Sequence, residues 1–158
     1  MAQAILETLV QRLAAEGMAA HVDRNLVAID APRAAVPGIA QKLKGAIGFD
    51  LLLDVTAIDW PQRVPRFDVV WHFYSTQHKV RARLKTAVPE NDPKVATLTT
   101  LYGSAAFMER ETHDMYGIVF AGNADLRPIL LYEGFVGHPL RKDYPKQLEQ
   151  PLVPYRMP

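Results

Sequence analysis

The stretch FDLLLDVTAIDWPQRVPRFDVVWHFYSTQHKVRARLKT, Phe49 to Thr86, reads as three strands in succession. Phe49 to Ile58 is apolar on both alternating faces and rich in strand-favouring residues, the pattern of a central strand covered on both sides. Asp59-Trp60-Pro61 ends it. Phe67, Val69, Trp71 and Phe73 then alternate with Asp68, Val70, His72 and Tyr74, a period of two. After Ser75 to His78, Val80, Ala82, Leu84 and Thr86 alternate with Lys79, Arg81, Arg83 and Lys85. These two runs predict an antiparallel hairpin whose second strand carries one wholly basic face. Such a face suits an acidic partner or nucleic acid. It is also the ordinary composition of a solvated edge strand defended by lysine and arginine, and that is the expectation adopted.

Upstream, Ile5, Leu6, Leu9, Val10 and Leu13 share one helical face and Gly17 sits where a helix would stop, predicting a helix over 2–16. Leu26 to Ile29, closed by Asp30 and Pro32, predicts a short strand, and a second helix follows over 34–46. Downstream, Asp92-Pro93 has the form of an N-cap with proline in the first turn, opening a helix through Val95, Leu98 and Leu101. Ser104 caps a further helix from Ala105 to Tyr116, with Gly117 as its stop. Beyond residue 120 the chain is irregular, with six prolines, and PKQLEQPLVPYRMP reads as an extended arm.

The order of elements implies an α+β fold: a two-layer domain with a mixed, mostly antiparallel sheet and helices on it, then a long irregular C-terminal arm. The expected division is an α+β domain over 1–120 and an irregular segment over 121–158. The 158 residues suffice for one sizeable core, and the 49% hydrophobic and 22% charged content is that of an ordinary globular chain. A net charge of +1 gives no global argument for nucleic acid or an anionic membrane. The absence of cysteine excludes disulfides, thiolate-held iron–sulfur clusters and zinc–thiolate sites on this chain. No apolar run approaches the ~20 residues that span a bilayer. The acidic, amphipathic N-terminus lacks the pattern of a secretory leader, so the expected location is cytoplasmic.

The candidate chemistry lies in ERETHDMYGIVFAGNADLRPILLYEGFVGHPLRKDY, Glu109 to Tyr144, which is dense in charge, glycine and aromatic residues. Glu109 and His113 stand four apart on the helix, as do Arg110 and Asp114. Glu109, His113 and Asp114 could form an acid/base site. No nucleophile, phosphate loop or second histidine at ligand spacing completes one, so ion pairing within the helix and contact with a partner are expected instead. A second, basic cluster joins Arg127, His138, Arg141 and Lys142, with Gly134, Gly137 and Pro139 shaping the backbone. Arginine suits bidentate pairing with a carboxylate across an interface; an anion site is the lesser alternative.

The same stretch resembles the signature of the 30-kDa subunit family of respiratory complex I, the C subunit of bacterial NADH–quinone oxidoreductase, known in mitochondria as iron–sulfur protein 3. The residues carrying the resemblance are Glu109-Arg110-Glu111, Asp114-Met115-Tyr116-Gly117-Ile118, Phe120, Asp125-Leu126-Arg127, Ile129-Leu130 and Gly137-His138-Pro139-Leu140-Arg141-Lys142-Asp143. The match is ordered and ungapped, and the strand ending Thr56-Ala57-Ile58-Asp59-Trp60-Pro61 is also similar to the family. Asn123-Ala124 stand where the family usually has His-Pro, and the acidic residue after Ile-Leu is displaced to Glu133.

The resemblance implies a structural and assembly subunit of the peripheral arm that binds no cofactor itself. Its expected partners are the D subunit, which is similar to hydrogenase large subunits, and neighbours such as the B and I subunits, with no nucleic acid. FMN, iron–sulfur clusters and quinone would belong to the parent complex, which passes electrons from NADH to quinone and translocates protons. The expected location is peripheral, on the cytoplasmic side of the inner (plasma) membrane, with membrane contact only through the complex. The interface residues implied are Glu109, Arg110, Glu111, Asp114, Gly117, Asp125, Arg127, Gly137, Arg141, Lys142 and Asp143. Energy-converting hydrogenases and formate hydrogenlyases contain related subunits and are the alternative parents.

Overall fold

A computed structural model describes residues 2–147. The extended arm expected over the last residues, from 148 on, lies outside them.

Helix α1 (Ala2–Ala15) turns Leu6, Leu9 and Leu13 inward, each at most 2% exposed. Strands β1 (Ala20–Asp23) and β2 (Leu26–Asp30) follow as a tight antiparallel pair. A 3-10 turn (Arg33–Ala35) leads into α2 (Val36–Lys42), which loosens into a π-helical turn (Leu43–Ile47). Gly48 closes that turn at φ 91, a left-handed conformation natural to glycine. Then come β3 (Leu51–Asp59), β4 (Phe67–Ser75), β5 (Val80–Val88) and β6 (Lys94–Ala96). Helix α3 (Ala105–Tyr116) and strand β7 (Val119–Ala121) complete the regular elements.

The five strands of the main sheet lie in the order β1-β2-β5-β4-β3. The β2–β5 contact is parallel and the other neighbours are antiparallel, so the sheet is mixed and mostly antiparallel, as the sequence implied. Its inner face packs Val27, Val55, Phe67, Trp71, Phe73 and Leu84 against α1, α2 and the π turn, forming one contiguous core.

Three expectations change. Leu51 to Asp59 is an edge strand, not a central one. Its two apolar faces have different fates: Leu52, Val55 and Ala57 are buried, whereas Leu51, Leu53 and Ile58 are 45%, 40% and 39% exposed. Conversely, the basic strand β5 is not an edge but lies between β2 and β4. Arg83 pairs with Asp23 of β1 at 2.9 Å and Lys85 with Asp30 of β2 at 3.1 Å, so the two strands on one side of it supply the counter-charges. The helix expected after Asp92-Pro93 is instead β6, which runs parallel to β7. Buried Val95 and Leu98 share the i,i+3 spacing of a helix, but Asp92 pairs with Arg33 at 2.7 Å rather than capping one. Strand β1 carried no such apolar run and was not foreseen.

Helix α3 covers the free edge of β3. The Thr112 hydroxyl donates to the Val55 carbonyl at 2.7 Å, Ser104 to Leu52 at 3.2 Å, and Tyr102, just before the helix, to Phe49 at 2.8 Å. A carbonyl at a sheet edge that has lost water needs such a donor. Replacing Thr112, which is 2% exposed, by valine keeps the shape but leaves the Val55 carbonyl unpaired. The expected loss is about 1–3 kcal/mol of stability in a denaturant titration, with an unchanged slope.

Candidate functional site

From residue 122 to 147 the chain has no helix or strand, yet it keeps a defined shape because buried charges hold it. Its first anchor is Glu109, which is fully buried on α3. The Glu109 carboxylate accepts the Leu98 amide at 2.8 Å, the Thr97 hydroxyl at 2.6 Å and the Asn123 side-chain amide at 2.9 Å. Asn123 then accepts the Asp125 N–H through Oδ1 at 3.0 Å. Its side chain therefore connects a buried acid to the turn that begins the signature segment. Burial pushes the Glu109 pKa up, against these three donors.

The second anchor is Asp114, further along α3. Its Oδ2 accepts three successive backbone N–H groups, from Ile129, Leu130 and Leu131, at 3.1, 3.0 and 3.0 Å. Burial works to raise its pKa, but the three amides outweigh it and hold the carboxyl below the usual aspartate range. Arg110, one turn earlier, donates to the carbonyls of Arg127 and Pro128 at 3.0 and 2.9 Å.

The third anchor is the end of α3 itself. Gly117 closes the helix at φ 75. His138 donates from Nδ1 to the Asp114 carbonyl at 2.9 Å and Arg141 donates from Nε to the Tyr116 carbonyl at 2.7 Å, occupying acceptors that a helix end leaves free. A Cβ on Gly117 would lie 2.5 Å from His138 Nε2 and 2.7 Å from Arg141 Nη2. Glycine is therefore required there twice over, by φ and by the close approach of the segment.

The fourth anchor is Arg66, whose side chain is 8% exposed just before β4. It pairs with both oxygens of Asp59 at 2.7 and 2.8 Å, with Asp143 at 2.9 Å, and with Glu90. Asp59 also accepts the Lys142 N–H at 2.7 Å. The Arg66 guanidinium holds the Asp59 and Asp143 pKa values down. One buried cation thus joins β3, β4, the loop after β5 and the C-terminal end of the signature segment.

These contacts revise the reading of the helix. Neither i,i+4 pair expected within α3, Glu109 with His113 or Arg110 with Asp114, carries the charge. Glu109 and Asp114 are bound to backbone and amide donors, and Arg110 lies 3.6 Å from Asp125. His113 donates from Nδ1 to the Ile118 carbonyl at 2.8 Å, so the three residues of the acid/base alternative are turned to separate partners. The basic cluster likewise does not converge on an anion: Arg127 is bidentate with Asp125 at 2.9 and 2.8 Å, while His138 and Arg141 face carbonyls. Arg66 escaped the sequence reading. Its signal was the acid–base pair Asp59 and Arg66 flanking the loop between two strands.

The exposed side of the segment has the opposite character. Leu130 is 62% exposed, Val136 73% and Leu140 50%, with Arg127 and Lys142 also exposed, and on α3 Phe107 is 63% exposed and Glu111 exposed too. Charges turned inward and apolar side chains turned outward are what a protein-docking surface requires.

Two outcomes are expected. Gly117→Ala costs at least about 1–2 kcal/mol, the penalty for a side chain in the left-handed region, and displaces His138 and Arg141, read as perturbed chemical shifts at both residues. The folded pKa values of Asp59, Asp114 and Asp143 are depressed, so their stabilisation is complete above the unfolded value of about 3.9 and is lost as pH falls through the lower folded values. The segment should therefore remain attached at about pH 5 and loosen progressively as pH falls below the ordinary carboxylate range, as followed by hydrogen exchange; Glu109, with its raised pKa, contributes with the opposite sign.

The family described as respiratory-chain NADH dehydrogenase, 30 Kd subunit, matches residues 29–150. The C subunit of an NADH-quinone oxidoreductase from Geobacter sulfurreducens is 40% identical over 140 residues, 88% of this chain and 86% of that protein. A C subunit from Rhizobium etli is 52% identical over 98 residues, 62% of this chain and 48% of that protein. The chain thus spans about half the length of such rhizobial relatives. Among solved structures, a trypsin-resistant fragment of Nqo5 superposes with a TM-score of 0.67 at 32% identity, over 77% of this chain and 99% of the fragment. A chain of the membrane-bound sulfane sulfur reductase, an archaeal respiratory membrane complex, superposes with a TM-score of 0.78 at 23% identity, over 92% of this chain and 86% of that one. At that identity the likeness is one of fold.

Proposed function

The chain belongs to the family of the 30-kDa subunit of respiratory-chain NADH dehydrogenase, and we propose that it is a non-catalytic structural subunit in the peripheral arm of a proton-translocating NADH–quinone oxidoreductase. The observation that carries the reading is the inversion of the signature segment: Asp114, Asp59 and Arg66 are engaged inside, while Leu130, Val136 and Leu140 face out. A free-standing enzyme would aim its charges at a substrate. A docking subunit uses them to fix the shape of its contact surface.

On this reading the parent complex passes electrons from NADH to quinone. FMN, iron–sulfur clusters and quinone reside in other subunits, and this chain binds none of them. Its partners are the D subunit, similar to hydrogenase large subunits, and the neighbouring B and I subunits, which would meet the exposed Glu111, Arg127 and Lys142 and the exposed apolar Leu130. Among the described residues no helix is long and apolar enough to cross a membrane. The chain would therefore reach the cytoplasmic side of the inner (plasma) membrane through its partners.

Leu130 is 62% exposed, so Leu130→Asp should change the stability of the isolated chain by no more than about 0.5 kcal/mol. In the cell the same substitution should sharply reduce co-purification of the subunit with its partners, measured by pull-down and quantitative mass spectrometry. Normal assembly of the variant into an NADH-oxidising complex would sink the docking claim. Recovery of hydrogenase subunits in place of NADH-binding flavoprotein subunits would reassign the parent complex.

A further inference from the structure

We propose that residues 127–144 form a strap that opens from the body as one unit and closes on two latches, Asp114 at one end and Arg66 at the other. That it closes fully when a partner covers it rests on the functional reading above; the opening itself follows from the chain alone.

The attachment is almost entirely polar. At the first latch, Asp114 collects the amides of residues 129–131. At the second, Arg66 holds Asp143 while Asp59 receives the Lys142 amide. Between them, Leu140 donates its N–H to the Met115 carbonyl at 3.2 Å and Arg141 bonds to the helix end. Apolar burial contributes little, because Leu130, Val136 and Leu140 are at least half exposed. A segment held by half-exposed hydrogen bonds with few buried apolar side chains belongs to the low-stability end of a protein, where local opening precedes global unfolding.

Three features make the opening concerted. The Phe135 ring lies 5.5 Å from Tyr132 and 6.0 Å from Tyr144, so an aromatic stack internal to the strap ties its two halves together. Gly137, at φ 98, lets Tyr144 approach so closely that a Cβ there would lie 2.7 Å from its ring. Upstream, the Glu109–Asn123 bond stays on the body, since Glu109 is fully buried, and sets a fixed point from which the strap swings. Releasing one latch therefore loads the other through the stack, instead of freeing only its own end.

The test is amide hydrogen exchange on the full chain at neutral pH, resolved by residue. In the wild type, the amides of Ile129, Leu131, Leu140 and Lys142 should exchange at one common rate, roughly tenfold or more faster than those of Trp71 and Leu84 in the sheet. Asp143→Asn weakens only the Arg66 latch, and Asp143 is exposed, so the core is unaffected. The variant should nevertheless accelerate exchange at Ile129 and Leu131, on the far latch, by the same factor as at Leu140 and Lys142, with Trp71 and Leu84 unchanged. Acceleration confined to Leu140 and Lys142, no acceleration at all, or wild-type strap amides as slow as the sheet would each overturn the proposal. None of these results depends on a partner, so failure here leaves the docking reading standing, and failed docking of Leu130→Asp leaves the exchange result standing.

Discussion

Arg66 is the constraint on which the signature segment and the sheet corner both depend. A guanidinium removed from water is costly unless its donors are met by well-placed carboxylates. Here Asp59 meets it bidentately from β3, Glu90 meets it from the loop after β5, and Asp143 meets it from the far end of the chain. Each of these groups is positioned by a different part of the backbone, so the node forms only when all of them are in register. The sheet corner brings Asp59 and Glu90 to the guanidinium, and the irregular segment completes the node with Asp143. The strength of such a node lies less in net stabilisation than in the cost of assembling it wrongly.

The same logic runs along α3. Its sequence ERETHD looks like a catalytic helix, but its carboxylates act as templates for backbone. Glu109 fixes the turn at Leu98 and, through Asn123, the turn at Asp125. Asp114 gathers three amides of a segment that no ladder could satisfy. A run of irregular chain from 122 to 147 has no repeating hydrogen-bond partner, and internal acids supply the acceptors that a strand neighbour would have given. The apolar side chains Leu130, Val136 and Leu140 are left facing outward.

Much of this could be read from the residues. The period-two runs gave β4 and β5, Gly117 and the residue types before it gave α3 with its ends correct although the Ser104 hydroxyl turns to Leu52 and does not cap it, and the ordered signature identified the family. What could not be read has physical causes. The apolar run Phe49 to Ile58 suggested burial on both sides because periodicity reports side-chain chemistry and not which strands flank it; sheet order is a long-range property. Val95 and Leu98 imitated a helical face because a three-residue parallel strand is too short to show its own period. The i,i+4 pairs of α3 were plausible by spacing alone, yet backbone donors more than ten residues away reached Glu109 and Asp114 first. Arg66 was invisible for a related reason: its partners are spread from residue 59 to residue 143.

The hydroxyls that α3 offers to β3 have a consequence for the newly made chain. An edge strand with free carbonyls and exposed leucines at positions 51 and 53 is a template on which further copies can stack into fibrils. Thr112 and Ser104 occupy those carbonyls before another molecule can reach them, and the irregularity between Leu52 and Asp54 spoils the straight register that stacking needs. The exposed leucines are tolerable there because the backbone beneath them is already paired within the chain.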